Sequence, residues 1–267
     1  MILLSIQARV RVHSRSGNPP PFLGGVLHGL VEHLLHQHAP SAFEGAVQAT
    51  PKRYAVFAPP PGPVGARLGF GIGLYGDAGM NWREVAAAMQ RGRELHACGW
   101  RASLGEVTVA ARPAPGISNA SLARSAPVLE SMAIDFVTPL KLITSTKREE
   151  GRLHEPPTFV SLARSVARRI SALEPDWAER LGLHAPQWAE HEAQAQHVAL
   201  VDNDARPLAS WYGSADKLRP VPLSGLVGRL RWRGPIAWPL VDLLAAGQWV
   251  GAGQSTSLGM GMYRLIP

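Results

Sequence analysis

Four histidines lie close together near the start of the chain: His28, His33, His36 and His38. An unperturbed imidazole has a pKa of roughly 6.5, so it can act as a general acid or a general base near neutral pH. His36 and His38 also form a His-x-His pair, which suggests metal binding. On a helix, however, residues two apart face different sides, and no third ligand follows closely in the sequence. The cluster therefore indicates proton transfer, and we predict neither a metal nor a cofactor.

A glycine-rich run over residues 247–263 holds two Gly-x-Gly pairs eight residues apart. Glycine permits positive φ and close backbone approach, so such a loop can present N–H groups to a phosphate chain. The run is neither a Rossmann fingerprint nor a P-loop, because the glycine and lysine spacings of those motifs are missing. The alternative is a glycine-rich turn that binds no ligand. The candidate phosphate-binding residues are Gly251, Gly253, Gln254, Ser255, Gly259 and Gly261.

Arginines on three predicted elements are further candidates for phosphate contacts. Two lie on the outer face of the first predicted strand, and three alternate with apolar residues on a late strand, so that their guanidinium groups share one face of a sheet. Others lie opposite the apolar stripe of a predicted helix, where a simple solvated face is the alternative interpretation. These residues are Arg9 and Arg11, Arg229, Arg231 and Arg233, and Arg164 and Arg168.

The apolar periodicity predicts the same order of elements in each half of the chain. In the first half it predicts strands and helices over residues 2–12, 22–38, 54–58, 66–75, 81–95 and 105–111. In the second half it predicts them over residues 131–137, 157–173, 197–202, 220–232, 236–246 and 259–265. The order βαββαβ is typical of a ferredoxin-like sheet with two helices on one face. The predicted fold is therefore α+β, with two tandem ferredoxin-like (RRM-like) domains over residues 1–125 and 126–267, joined by a linker over 112–127.

The composition narrows the classes of partner and compartment. The chain has 27 Lys and Arg against 20 Asp and Glu, a formal net charge of +7. Such an excess attracts polyanions and favours nucleic acid as a partner, although arginine-rich genomic usage would produce it too. Cys98 is the single cysteine, which excludes an internal disulfide and fits a reducing cytoplasm. No apolar run approaches the roughly 18 residues that a membrane span needs, so we predict a cytoplasmic protein without membrane contact.

Three segments resemble one known family. Residues 248–263 look like the terminal glycine-rich loop of the CRISPR-associated endoribonucleases of the RAMP superfamily, which cut precursor CRISPR RNA within its repeats. Residues 134–140 (IDFVTPL) are similar to that family's F-x-[ST]-P entry into the second domain, and residues 159–170 resemble its L-x-R-R-L helix. Together these segments cover about the second half of the chain.

The resemblance implies a tandem ferredoxin-like fold that binds CRISPR repeat RNA and cleaves it without a metal. In that chemistry the ribose 2′-OH attacks the adjacent phosphate, leaving a 2′,3′-cyclic phosphate and a 5′-hydroxyl. The reaction needs a base, an acid and a cation for the charge that develops on phosphorus. It also restricts the substrate to RNA at the cut, because DNA lacks the 2′-OH.

The resemblance also suggests which residues do this chemistry. His28 stands where relatives often hold a tyrosine, and Lys52 matches a lysine seen in some of them. We therefore predict His28 as the acid or base and Lys52 as the cation, with His36 and His38 in reserve. Some relatives cleave with arginines instead, and Arg9, Arg11 and Arg15 would then serve.

Two other functions fit the same features. The first is a non-catalytic RNA-binding subunit of a CRISPR effector ribonucleoprotein, which the absence of a histidine ahead of the second strand favours. The second is a general RNA-binding module, which would be expected to carry aromatic residues on its central strands; the first strand has none. The predicted partners are repeat RNA and other CRISPR effector subunits.

Overall fold

The computed structural model describes residues 1–14, 22–58, 68–91, 94–97, 100–113, 128–142, 155–212 and 221–266. The chain divides into two compact units. The first consists of residues 1–114, 209–223 and 257–259, and the second of residues 115–208, 224–256 and 260–267. The predicted boundary at residue 125 lies outside the described residues and stays a prediction.

The first unit is built around one antiparallel sheet. Its elements are β1 (Ile2–Ser14), α1 (Gly24–His38), the single turn α2 (Pro40–Ala42), β2 (Tyr54–Phe57), β3 (Leu68–Leu74), α3 (Trp82–Arg91), β4 (Glu94–Ala97) and β5 (Trp100–Pro113). A π-helical turn over Phe43–Gln48 follows α2, and a 3₁₀ turn over Gly76–Asn81 precedes α3. The strand order is β2-β3-β1-β5-β4, which contains the ferredoxin-like arrangement.

Alternation along β1 and helical spacing along α1 supply the core of this unit. Leu4 and Ile6 on β1 are buried, whereas Ser5 between them is exposed. Helix α1 buries an apolar stripe and contacts α3 and the strands β2, β4 and β5. The buried apolar side chains of α1 are Val26, Leu27, Leu30, Val31, Leu34 and Leu35.

The second unit repeats this topology. Its elements are β6 (Val128–Leu140), α4 (Phe159–Leu173), α5 (Pro175–Arg180), α6 (Gln187–Ala195), β7 (Ala199–Asn203), β8 (Arg206–Leu208), β11 (Gly225–Ala237), α7 (Trp238–Gly247) and β12 (Tyr263–Ile266). The strands run in the order β12-β6-β11-β7, with β8 also paired to β11. Two short strands between these, β9 (Trp211–Tyr212) and β10 (Val221–Pro222), pair with each other and belong to the first unit.

Local signals explain the boundaries in the second unit. Helix α4 begins at Thr158, whose hydroxyl oxygen accepts a hydrogen bond from the Ser161 backbone N–H at 3.2 Å and so caps the helix. Gly228 and Gly234 in β11 have positive φ and lie where the pairing of β11 with β6 shifts register. Glycines at these positions allow the bulges that bend the strand.

The predicted α+β fold with two ferredoxin-like sheets is confirmed. One predicted element differs, because the helix expected over 81–95 ends at Arg91, and residues 94–97 form β4. β4 pairs with β5, and this cross-strand pairing is a long-range interaction that helical periodicity does not report. Most of the predicted linker, residues 114–127, lies outside the described residues. Among the helices that the structure describes, none combines the length and the apolar character needed to cross a bilayer.

Candidate active site and nucleic-acid interface

His28 lies on α1 within a cluster of polar side chains in the first unit. Glu32 follows it by four residues and therefore lies on the same side of the helix. Tyr54 is the first residue of β2, and Lys52 precedes that strand by two residues. The fold brings these four residues together, although twenty positions separate Glu32 from Lys52 in the sequence.

The contacts within the cluster converge on one carboxylate oxygen. Glu32 Oε1 lies 3.2 Å from His28 Nε2 and accepts a hydrogen bond of 3.0 Å from the Tyr54 hydroxyl. The Lys52 ammonium forms an ion pair with the same oxygen. The Tyr54 hydroxyl also lies 2.6 Å from His28 Nδ1, and the two rings stack with centroids 5.5 Å apart. Glu32 is thus the common partner of three potential donors.

The environment of Glu32 keeps its carboxylate ionised. Burial alone raises the pKa of this group, but the hydrogen bonds and positive charges of His28 and Lys52 outweigh burial and lower the pKa to about 2. Glu32 is therefore negatively charged at neutral pH and also at mildly acidic pH.

A short piece of the glycine-rich run covers His28. The Ser257 carbonyl oxygen lies 3.2 Å from His28 Nδ1. A Cβ on Gly24 would lie 2.1 Å from the Leu258 carbonyl oxygen, and one on Gly259 would lie 2.5 Å from the Val56 carbonyl oxygen. Residues 257–259 therefore pack directly on α1 and β2, and glycines are required at both contacts. Each ring nitrogen of His28 therefore faces an oxygen that can accept a hydrogen bond from an N–H, Ser257 O at Nδ1 and Glu32 Oε1 at Nε2.

Exposure differs across the cluster. His28 is only 4% exposed, whereas the side chain of Lys52 is 40% exposed. A bound anion can reach the ammonium group of Lys52 directly, and the imidazole lies behind it. The arrangement can supply a positive charge at the surface and a proton-transfer group beside it.

The reserve histidines lie elsewhere on α1. His36 is exposed and its ring packs edge-on against Phe43 at 5.1 Å, and His38 is the exposed last residue of the helix. His36 is eight residues beyond His28, about 12 Å farther along the helix axis. Within the described ranges, no three His, Cys, Asp or Glu side chains are grouped so that they could hold a metal ion.

The remainder of the glycine-rich run belongs to the second unit, and its amide groups are already engaged. Ala252 N–H donates to the Gly261 carbonyl at 2.9 Å, Gly253 N–H to Ser165 Oγ at 2.8 Å, and Gln254 N–H to the Lys141 carbonyl at 2.9 Å. Gly251, Gly253, Ser255, Gly259 and Gly261 all have positive φ. The sequence had suggested that the loop presents its N–H groups to a phosphate, whereas the amides of residues 252–254 donate to groups within the protein. These glycines instead permit close packing, and the exposed side chain of Gln254 is the polar group presented outward.

Beside this loop, the second unit has an open cleft of about 1170 Å³. Arg164, Arg168 and Arg169 of α4 line one wall, and Gly253 and Gln254 line another. Trp188 and Glu192 of α6 complete it. The structure therefore brings together two predicted sets of RNA-binding residues, those of α4 and those of the loop.

All three of these arginines donate hydrogen bonds, and Arg168 Nε donates to the Arg164 carbonyl at 3.4 Å. Arg164 Nε donates to Glu192 Oε2 at 3.1 Å, and Trp188 Nε1 donates to the other oxygen of that carboxylate, also at 3.1 Å. Arg169 Nε donates to the Val250 carbonyl at 2.9 Å. Glu192 thereby fixes an arginine and an indole side by side in the cleft.

The arginines of β11 lie on the other face of the second sheet. Arg229, Arg231 and Arg233 are exposed, whereas Leu230 and Trp232 between them are fully buried. The Trp232 ring contacts Phe159 of α4, so the buried residues face the helices. The predicted alternation is confirmed, and it separates these arginines from the cleft. Arg9 and Arg11 lie in β1, but their side chains are outside the described residues, and so is Arg15.

Sequence analysis did not single out Glu32, Tyr54 or Trp188. The spacing of four between His28 and Glu32 is a signal that could have identified Glu32. Tyr54 and Trp188 carry no such signal, because Tyr54 meets His28 only through tertiary packing and Trp188 is an aromatic residue of an inserted helix.

Comparison with known proteins agrees with the fold and the glycine-rich run. Residues 134–263 match the model of the family described as CRISPR-associated endoribonuclease Cas6. No curated protein matches the chain.

Solved structures share the fold over the whole chain. A Cas6 product complex is 19% identical with a TM-score of 0.65, covering 100% of both chains. Thermus thermophilus Cas6 is 17% identical with a TM-score of 0.61, covering 100% of this chain and 98% of that one. A Cas6 substrate mimic complex is 21% identical with a TM-score of 0.58, covering 100% of both chains.

The paired ferredoxin-like units give this chain the fold of the solved Cas6 structures. Residues 134–263, which include the glycine-rich run, match the model of the Cas6 endoribonuclease family, and the resemblance found in the sequence is confirmed over that segment.

Proposed function

We propose that this protein is an endoribonuclease that binds CRISPR repeat RNA and cleaves it without a metal ion, giving mature CRISPR RNA with a 2′,3′-cyclic phosphate. The observation that carries the proposal is the cluster of His28, Glu32, Lys52 and Tyr54, which joins a proton-transfer group to a surface cation. The similar solved structures include a Cas6 product complex and a Cas6 substrate mimic complex, which supports RNA as the ligand.

The reaction balances without a co-reactant. The 2′-oxygen forms a bond to phosphorus as the bond from phosphorus to the 5′-oxygen breaks. A base takes the proton of the 2′-OH, and an acid gives a proton to the departing 5′-oxygen. The products are one RNA with a cyclic phosphate end and one with a 5′-hydroxyl.

We assign two of these roles to the cluster. Lys52 is 40% exposed and can approach the scissile phosphate, where its charge would stabilise the additional negative charge of the transition state. His28 lies next to it and exchanges the proton, once the ribose enters beside the ring. Oxygen atoms face both ring nitrogens, so the imidazole is held in one orientation from which it can exchange a proton.

The cleft of the second unit is the proposed path for an RNA strand. Arg164 and Arg168 supply positive charge to phosphates, and Gln254 supplies hydrogen bonds. The half-buried Trp188 offers an aromatic face to an unpaired base. The exposed arginines of β11 form a separate basic strip, which fits either duplex backbone or another subunit of a CRISPR effector complex. A cytoplasmic location stays a prediction.

One observation favours the second candidate, a non-catalytic RNA-binding subunit. His28 is 4% exposed and Lys52 is ion-paired with Glu32, so the cluster also fits a purely structural role. In that case the cleft and the β11 strip would still bind RNA.

Cleavage of the cognate repeat RNA in excess EDTA separates the two functions. An enzyme gives a product whose cyclic phosphate resists phosphatase until acid opens the ring, whereas a binder shifts the intact RNA in a gel. If cleavage occurs, His28→Ala and Lys52→Ala should each slow it by about a hundredfold or more, which is the range for losing a positioned acid or cation. His184→Ala is the matched control, since His184 is exposed and remote from the cluster in the sequence. A wild-type rate for His28→Ala would move the assignment to the arginines.

A further inference from the structure

The half-buried carboxylate of Glu32 has three potential hydrogen-bond donors around one oxygen. Its Oε1 contacts His28 Nε2 and the Tyr54 hydroxyl, and it forms the ion pair with Lys52. Its side chain is 26% exposed. Glu32 therefore contacts both of the residues that we assign to cleavage.

Glu32 links helix α1 to the segment that precedes β2. Glu32 and His28 are fixed by α1, but Lys52 lies in the segment between the π-helical turn and β2. A lysine side chain has several rotatable bonds and is normally mobile at a surface. The ion pair restricts it to a location beside the imidazole.

We propose that Glu32 is a positioning residue for cleavage: its carboxylate orients the proton-bearing edge of His28 and holds the Lys52 ammonium next to it. The inference rests on the proposed function of His28 and Lys52. It assigns no contact between Glu32 and RNA.

The charge of Glu32 acts on both residues. Groups that contact His28 include Glu32 from its own helix, Tyr54 from β2 and the Ser257 carbonyl from the segment that covers it. The Glu32 carboxylate also pairs with the Lys52 ammonium, so removing its charge leaves His28 and Lys52 without their shared anionic partner.

Glu32→Gln tests this, because glutamine has nearly the same shape and no charge. The measurement is the single-turnover cleavage rate at saturating protein from about pH 5 to pH 9, together with the affinity for repeat RNA that carries a 2′-deoxyribose at the cut. We expect a rate at least about tenfold lower, as for a small displacement of reacting groups. Affinity should stay within about twofold, because Glu32 does not touch the RNA.

Glu44→Gln is the matched control, since Glu44 is an exposed carboxylate of the same unit. It should leave the rate, the pH profile and the affinity unchanged. Glu32→Asp is made beside it and replaces it if Glu32→Gln lacks a cooperative unfolding transition. Aspartate keeps the charge on a side chain one methylene shorter, so its rate should lie between those of Glu32→Gln and the wild type.

Three results would overturn the inference or the function beneath it, and they differ. A normal rate for Glu32→Gln, while His28→Ala and Lys52→Ala are inactive, would overturn the inference alone. A rate for Glu32→Asp no higher than that of Glu32→Gln would also overturn it, because the charge would then not be what positions the two groups. Normal cleavage by His28→Ala would instead overturn the proposed function.

Discussion

In the first unit, one carboxylate, that of Glu32, is the charge partner of two neighbouring side chains. Glu32 has two potential cationic partners, and the exposed Lys52 would be free to move if that carboxylate were lost. In the second unit Glu192 plays a comparable part by accepting from both Arg164 and Trp188. In each unit a carboxylate that does not itself attract RNA holds a group that can.

The lowered pKa of Glu32 predicts how stability depends on pH. Its carboxylate has a pKa of about 2 in the folded protein against an ordinary 4.5, so its contribution is fully present above pH 4.5 and is lost as the pH falls towards 2. We expect Glu32→Gln to lower the free energy of unfolding by about 2 kcal/mol at pH 6, allowing for partial solvent screening. Urea unfolding of both proteins at several pH values measures this.

The difference between the two proteins should shrink as the pH falls from 4.5 to about 2.5. Glu44→Gln, in which the exposed carboxylate is removed, should show a difference near zero throughout. A gap between wild type and Glu32→Gln that is constant over this range would mean that the mutation acts through shape and not through charge.

The strands, helices and loops differ in the interactions that determine their conformation. The strands β1 and β11 follow from alternation within a few residues, and α4 follows from its apolar stripe and its Thr158 cap. The glycine-rich loop depends instead on backbone segments that pass at very short range. A Cβ on Gly261 would lie 1.8 Å from the Ala252 carbonyl oxygen, a distance that no side chain can occupy.

Gly261→Ala should therefore destabilise the protein by more than about 2 kcal/mol, since it adds a steric clash to an unfavourable positive φ. Gly182→Ala is the matched control. Gly182 also has a positive φ, but a Cβ there would meet only Ala185 Cβ at 3.8 Å, so its cost should be about 1 kcal/mol. Chemical unfolding measures both variants, and equal losses would contradict the close approach.

At the scale of the whole molecule, the net charge of +7 sets the response to salt. Each phosphate neutralised on a single strand contributes about −0.7 to the slope of log affinity against log salt concentration. We propose that the basic cleft and the β11 strip provide such contacts on the second unit. Tight binding at low salt should therefore weaken steeply as salt is added.

The double variant Arg164→Ala/Arg168→Ala should reduce the magnitude of this slope by about 1.4, which corresponds to two phosphate contacts. Fluorescence anisotropy with the 2′-deoxy repeat RNA measures the slope. Arg83→Ala/Arg91→Ala removes the same charge from exposed positions of α3 and is the control. Equal slopes for the two double variants would show that the cleft does not bind the strand and that only net charge matters.

The sequence by itself determined the paired ferredoxin-like order, the exposed arginines of β11 and the resemblance to one family. These depend on periodicity and on motifs a few residues long, so they are visible without a fold. Only the tertiary structure decided which groups meet. His28 contacts Tyr54 and Ser257, which are 26 and 229 positions away, and the amides of residues 252–254 donate to other groups of the protein. Such contacts arise when long loops close and pack, and no local pattern of residue types records that.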